Sequence, residues 1–562
     1  MNEVNKINWS RFFSATFFLF FSLILIAIPV LIFTLDLQNE LRAVLLNTVN
    51  RLNCIAFYTN CTAYNIEFSN ELMTILFIPV ISAIVSLFIN IFILKSYDAR
   101  SLYDHIHGPV LLTEDDAFKD AVKKQKQESG SRGIYVHPKI CISLNRELGN
   151  FFVFGQQGGG KSTVIKAILR QLFARDDSLF IYDEKREYTE QFLSDSVILV
   201  SPGDQRSFCW NIAEDITDEL SAKSVARVLI KSSNQDKFWT DAAQVVLTGV
   251  FICLISEGKK WGWKDLKSLV FSEAKVLNEK FKKYFIEGLN LVEPESKTSM
   301  SILTTLSTQL SWLSDLADHW ENCQASFSFA DIKKERKSLR IIVAGNPMAY
   351  EMSASLCAAL FSLLSNKIIA SPDSSTRCFW FVLDELANLP KTESLKNALA
   401  LGRSKGLRTI AGTQAVSQIR SIYGLDDAET MLSLFSNIIV LRTGPTGDSA
   451  KVASACLGIR KVEQTIKSFD ANNRESSTKQ RVEIPVVSSD EIIHLPRSNT
   501  KISGYLLING YQAVYRLDWP IIKRKQIAKA FIPNVRNLVT PDIPVSPEQS
   551  SKNRFRRGWD AS

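Results

Sequence analysis

Histidine is scarce in this 562-residue chain. There are five, and His105 and His107 are the one close pair, so a histidine-rich metal centre is not expected. The nine cysteines are scattered with no CxxC among them, which argues against a zinc module. Charge is missing altogether from two stretches: Phe12 to Leu35, 24 residues, and Leu72 to Leu94, 23 residues. Elsewhere the composition is ordinary, 46% hydrophobic and 22% charged, with a formal net charge of +8. That balance permits a polyanionic partner without requiring one.

Each charge-free stretch exceeds the ~20 residues that cross a bilayer as a helix. The first is too long for the apolar core of a signal peptide, and no small-residue cleavage site follows it. Two membrane spans are therefore expected. Lys6 and Arg11 precede the first, and Lys95 and Arg100 follow the second. The loop between them holds Asp36, Glu40, Glu67 and Glu71 against Arg42 and Arg51. The positive-inside rule then places both termini in the cytoplasm and the loop 36–71 outside. Cys54 and Cys61 are the cysteines of that loop. They are able to pair in an oxidising periplasm, or to remain thiols. Those of the body after residue 100 are expected to be buried thiols.

Residues 155–162, GQQGGGKS, fit GxxxxGK[ST]. Gly155, Gly158, Gly159 and Gly160 let the backbone turn its N–H groups around phosphate oxygens. Lys161 reaches the β/γ-phosphates, and Ser162 offers its hydroxyl to Mg²⁺. Thr163 completes the candidate nucleotide contacts. Phe151 to Phe154 read as a buried strand before the loop. Val164, Ile165, Ile168, Leu169 and Leu172 then share one helical face after it. A helix N-terminus adds its own attraction for phosphate. The next strand, SLFIYD, ends in Asp183, and the alternation suggests a βαβ unit in a parallel sheet.

A second apolar strand, Phe379 to Leu383, runs straight into Asp384 and Glu385. A P-loop enzyme needs acids at such an edge: Asp384 to hold magnesium, Glu385 to polarise the attacking water. Residues 407–411 read as a further strand that delivers Thr413 and Gln414 to the same edge. Arg403 stands in the glycine-bounded turn before it, suited either to a finger into a neighbouring subunit or to plain surface. NIIVLRTG carries Arg442, a weak candidate for phosphate sensing.

Together with the two spans, these motifs resemble the coupling proteins of type IV secretion and conjugation, the TraD/TraG-like family within the FtsK/HerA-type ring ATPases. The likeness extends to SPGDQRSFCWN (Pro202, Asp204, Arg206, Trp210, Asn211), to LGRSKGL and to AGTQ, and covers the chain to about residue 520. It implies an α/β, RecA-like P-loop nucleotide-binding domain with an inserted all-α domain, preceded by two transmembrane helices. It further implies a homo-hexameric ATPase of the bacterial inner membrane, using ATP and Mg²⁺. Such a machine passes single-stranded DNA with its relaxase to a type IV secretion channel. Lys161, Ser162, Asp384, Glu385 and Gln414 take their nucleotide-site roles by this match, and Arg403 the finger role.

The expected organisation is a membrane domain over 1–100, nucleotide-binding segments over 101–214 and 336–525, an all-α insertion over 215–335 and a basic tail over 526–562. The separation of 222 positions from Ser162 to Asp384 exceeds what a minimal core needs, and DKFWTDAAQVVLTGVFICLIS has helical apolar spacing. Its stripe of Phe238, Val245, Val246 and Leu247 is expected in a helix core. Lys552, Arg554, Arg556 and Arg557 make the tail basic, and a solvated end suits it best. Two competing functions remain: an ATP-binding recruitment scaffold for protein cargo, and a chromosome-type DNA translocase. An ABC transporter is disfavoured by two spans and no LSGGQ-like stretch.

Overall fold

The computed structural model describes residues 84–86, 103–128, 130–231, 237–258, 260–321, 323, 325–330, 338–469, 475–522 and 524–534. Both charge-free segments (save residues 84–86), the loop with Cys54 and Cys61, and the tail from residue 535 onward, with Lys552, Arg554, Arg556 and Arg557, lie outside these residues.

A ten-stranded sheet organises the body. Its strands are β1 (Val110–Thr113), β2 (Phe151–Phe154), β3 (Ser178–Asp183), β4 (Ile198–Val200), β5 (Arg340–Ala344), β6 (Phe379–Leu383), β7 (Leu407–Thr413), β8 (Asn437–Leu441), β9 (Lys501–Ile508) and β10 (Ala513–Pro520). The spatial order is β1-β10-β9-β8-β2-β7-β6-β3-β5-β4. From β8 to β4 every pairing is parallel. β9 and β10 are antiparallel additions, and β1 runs parallel to β10.

The central strands are apolar throughout because both faces of a parallel sheet are covered. Successive side chains point to opposite faces, and two cores result. Phe152, Phe154, Phe180, Tyr182 and Phe381 enter one. Phe151, Val153, Leu179, Ile181, Trp380 and Val382 enter the other, where α1 (Lys161–Ala174) supplies Val164, Ile165, Ile168, Leu169 and Leu172. The helical face read from the sequence is the face buried against the sheet.

Between Ile212 and His319 every described element is helical, including α2 (Glu219–Leu229) and α3 (Lys237–Ser256). The two ends of this stretch are joined at its base. Cys209–Trp210 pairs in parallel with Ser326–Phe327, and Cys209 forms a disulfide with Cys323. The expectation of thiols throughout the body is thus corrected at these two positions. Cys141, Cys253, Cys357, Cys378 and Cys456 are free.

α3 and α4 (Tyr350–Ile369) are long and apolar enough to span a bilayer, but their most apolar windows are 61% and 83% buried inside the body. They are core helices. In α3, Val246 and Leu247 are fully buried, whereas Phe238 is 60% and Val245 39% exposed, so half of the expected core stripe faces outward. A separate compact unit takes in the chain up to His107 with residues 461–483. There Asp104–His107 pairs antiparallel with the strand Ile459–Phe469.

Candidate nucleotide-binding site

β2 lies between β7 and β8, and β6 is the next strand beyond β7. Parallel strands carry their C-terminal ends to one edge, so the GQQGGGKS loop after β2, Gln414 after β7 and the acids after β6 meet there. Ligands of open α/β sheets bind at such an edge.

The loop is braced by backbone. The N–H of Gly155 donates to Thr413 O (3.1 Å), that of Gln156 to Arg442 O (2.9 Å) and that of Gly159 to Gln156 O (2.8 Å). Gly158 and Gly160 have φ of +72° and +103°, a region that L side chains seldom adopt. Gly160 is left-handed directly before α1, and the Thr163 N–H closes the first helical turn on Gly160 O at 3.0 Å.

Lys161 Nζ lies 2.7 Å from Glu385 Oε2 and 3.9 Å from Asp384 Oδ1. The Ser162 hydroxyl donates to Asp384 Oδ2 at 2.8 Å. The backbone N–H of Gln414 donates to Glu385 Oε1 at 3.2 Å, so the main chain of Gln414 already orients the acid. The loop cation and both acids are more than four-fifths buried, where their attraction is screened far less than in water. Asp384 Oδ1 is buried without a hydrogen-bond partner. An orphaned carboxylate oxygen next to a serine hydroxyl is an arrangement that a hard divalent cation satisfies, so Asp384 and Ser162 fit Mg²⁺.

Several residues of the site were not legible in the sequence. A Cβ on Gly412 would lie 2.5 Å from Asp384 O and 2.7 Å from Lys161 Cδ. Only glycine leaves the lysine room to cross β7 toward the acids. Asp183, Glu184 and Tyr188 line the same cavity as Lys161, Asp384, Glu385 and Gln414. Burial pushes the Asp183 carboxyl up to about 6, against hydrogen bonds from the Thr189 N–H and hydroxyl. Burial raises Glu184 as well. The Tyr188 phenol is raised by burial and by the Asp384 charge. Arg497 also reaches the loop, donating to Gly158 O.

Other sequence candidates stand elsewhere. The Thr413 hydroxyl donates to Ala415 O at 3.1 Å, so it serves its own turn. Arg442 acts through its carbonyl, and its side chain is exposed. Arg403 is exposed in the turn Gly402–Lys405 that precedes β7. The length of β7, about 20 Å at ~3.3 Å per residue, separates it from the loop edge. It lines an open depression with Asp373, Ser374 and Ser404. In the SPGDQRSFCWN segment, Asp204 holds Arg206 at 2.7 Å and Trp210 Nε1 donates to Asp215 at 2.9 Å.

Sheet order, loop and acidic strand define a RecA-like P-loop α/β domain interrupted by a helical insertion. The chain belongs to the family of the type IV secretion-system coupling protein DNA-binding domain, whose model matches residues 134–517. It is 22% identical over 469 residues to the coupling protein TraD of Escherichia coli strain K12, which covers 81% of this chain. The chain spans 64% of the length of that relative. Among solved structures it resembles the bacterial conjugative coupling protein TrwBdeltaN70 in an unbound form, with a TM-score of 0.66, 21% identity and coverage of 76% of this chain and 96% of the other. The plasmid coupling protein TrwB in complex with ADP and Mg²⁺ gives 0.65 and 21%, covering 77% and 99%. TrwB with the ATP analogue ADPNP gives 0.65 and 20%, covering 78% and 99%.

Proposed function

We propose that this chain is a membrane-anchored, hexameric ATPase of the bacterial inner membrane that couples a relaxase-bound DNA substrate to a type IV secretion channel and drives transfer of the single strand. The observation that carries the ATPase is the convergence of Lys161, Ser162, Asp384 and Glu385 at one sheet edge. The family membership carries the coupling role. TrwB, a protein of the same fold, has been seen with ADP and Mg²⁺.

Lys161 is paired with Glu385, and Ser162 with Asp384. Incoming phosphates compete for the lysine and draw its ammonium toward the loop N–H groups. Glu385 is then released to accept a proton from an attacking water, with Gln414 N–H holding one of its oxygens. Bound Mg²⁺, held by Ser162 and Asp384, would neutralise phosphate charge. Arg403, at the far end of β7, has no route to the loop of its own subunit, and the finger role requires a neighbour. DNA contacts in such a ring are directed at the backbone and depend on salt.

ATP hydrolysis by the full chain in detergent or lipid discs, with and without single-stranded DNA, tests this proposal. Turnover is expected to rise with DNA, Lys161→Ala to lose nucleotide binding, and Glu385→Gln to keep binding while turnover falls at least about 10²-fold. Nucleotide binding with turnover that DNA leaves unchanged would favour the protein-recruiting scaffold instead.

A further inference from the structure

The phosphate loop has a second cation beside it. Arg497 forms an isolated antiparallel bridge with Ile502 at the start of β9. The intervening turn is tied by Ser498: its N–H donates to Lys501 O at 3.1 Å, and its hydroxyl accepts from the N–H of Thr500 (3.2 Å) and of Lys501 (3.0 Å). Both ends of the turn touch the loop. Ile502 is buried, and its Cδ1 would lie 2.4 Å from a Cβ on Gly160. The Arg497 guanidinium donates to Gly158 O, and its Nη1 would lie 3.2 Å from a Cβ on Gly158.

A guanidinium has five N–H donors in a planar fork suited to phosphate oxygens. At Arg497 one nitrogen serves Gly158, and among the described residues no carboxylate comes within ion-pair distance of the side chain. Lys161, by contrast, is already held by Glu385. Magnesium and one lysine leave a nucleoside triphosphate still net negative. Lys185 lines the cavity beside Lys161, but Arg497 is the exposed further cation whose guanidinium rests on the loop itself.

We propose that Arg497 is a nucleotide-binding residue that acts in cis, its guanidinium turning from the Gly158 carbonyl to a phosphate oxygen of a nucleoside triphosphate bound in the 155–162 loop. This rests on the nucleotide-site reading above. Binding of a fluorescent ATP analogue to the full chain, with melting temperatures, is to be compared for wild type, Arg497→Ala, Arg497→Gln, Arg497→Lys and Lys161→Ala. Arg497→Ala and Arg497→Gln are expected to weaken binding about tenfold, as a lost charge-assisted hydrogen bond does. Arg497→Lys should recover part of the loss, and melting temperatures should stay level. Glutamine keeps an N–H donor for Gly158, so wild-type affinity in Arg497→Gln would reduce the arginine to a brace of the loop and overturn the proposal. Affinity that falls in step with melting temperature in all three Arg497 variants would overturn it too. Undiminished binding by Lys161→Ala would instead sink the nucleotide site itself, a result separable from either.

Discussion

Lys161 crosses β7 at Gly412 to reach Glu385, and this crossing makes a small residue as important as the charged ones. Alanine at 412 would press on the carbonyl of Asp384 and the stem of Lys161 at once. Backbone has to move there, at a cost of about 1–3 kcal/mol for overpacking. Gly412→Ala should therefore lower the melting temperature and weaken nucleotide binding together. A variant that melts lower yet binds normally would show that Lys161 reaches its partners by another path. The charged residues were legible because their types and spacing announce their chemistry. Gly412 was not, since its requirement arises from a side chain 251 positions earlier in the sequence.

Among elements, the added edge of the sheet packs against a buried histidine of a neighbouring hairpin. His137 ends the strand Arg132–His137, stacked on Phe118 at 5.2 Å and edge-on to Trp519 of β10 at 5.7 Å. Its Nδ1 accepts from the Lys139 N–H at 3.2 Å, so Nε2 carries the proton and donates to Asp518 O at 3.0 Å. Burial lowers its pKa below the usual 6.5, aided by the Lys139 charge and opposed by the Asp518 carbonyl and carboxylate. The unfolded chain then binds a proton that the folded chain refuses. Stability from this group is complete above pH 6.5 and declines as pH falls through that value. The melting-temperature advantage of wild type over His137→Gln should shrink between pH 7.5 and pH 5.5. An unchanged gap would mean that His137 titrates normally. Strands β2, β3 and β6 were readable as apolar runs between turn residues. The addition of β9 to β8, and of β10 to β9, was not, because edge position depends on partners far along the chain.

For the whole molecule, the position of Arg403 at the opposite end of β7 from the nucleotide loop turns its role into a statement about assembly. If neighbours complete each site, Arg403→Ala should reduce kcat by about 10³-fold, as loss of an arginine finger does, with ATP affinity little changed. Doping wild-type protein with Arg403→Ala subunits should depress turnover out of proportion to the dose. A strictly proportional decline would mean that each subunit hydrolyses alone.

The sequence by itself determined the GxxxxGK[ST] motif between strand and helix, the acid pair after an apolar strand, the core face of α1 and the helical character of the insertion. Each of these is local, a residue type at a fixed spacing whose chemistry needs no distant partner. Tertiary structure alone decided that β7 separates the loop strand from the acidic strand, that α4 is an interior helix rather than a span, that Cys209 meets Cys323, and that Arg497 lies on Gly158. Those facts follow from which strands become neighbours. Neighbours in a sheet are chosen by burial summed over the whole core, and no short window of residues contains that sum.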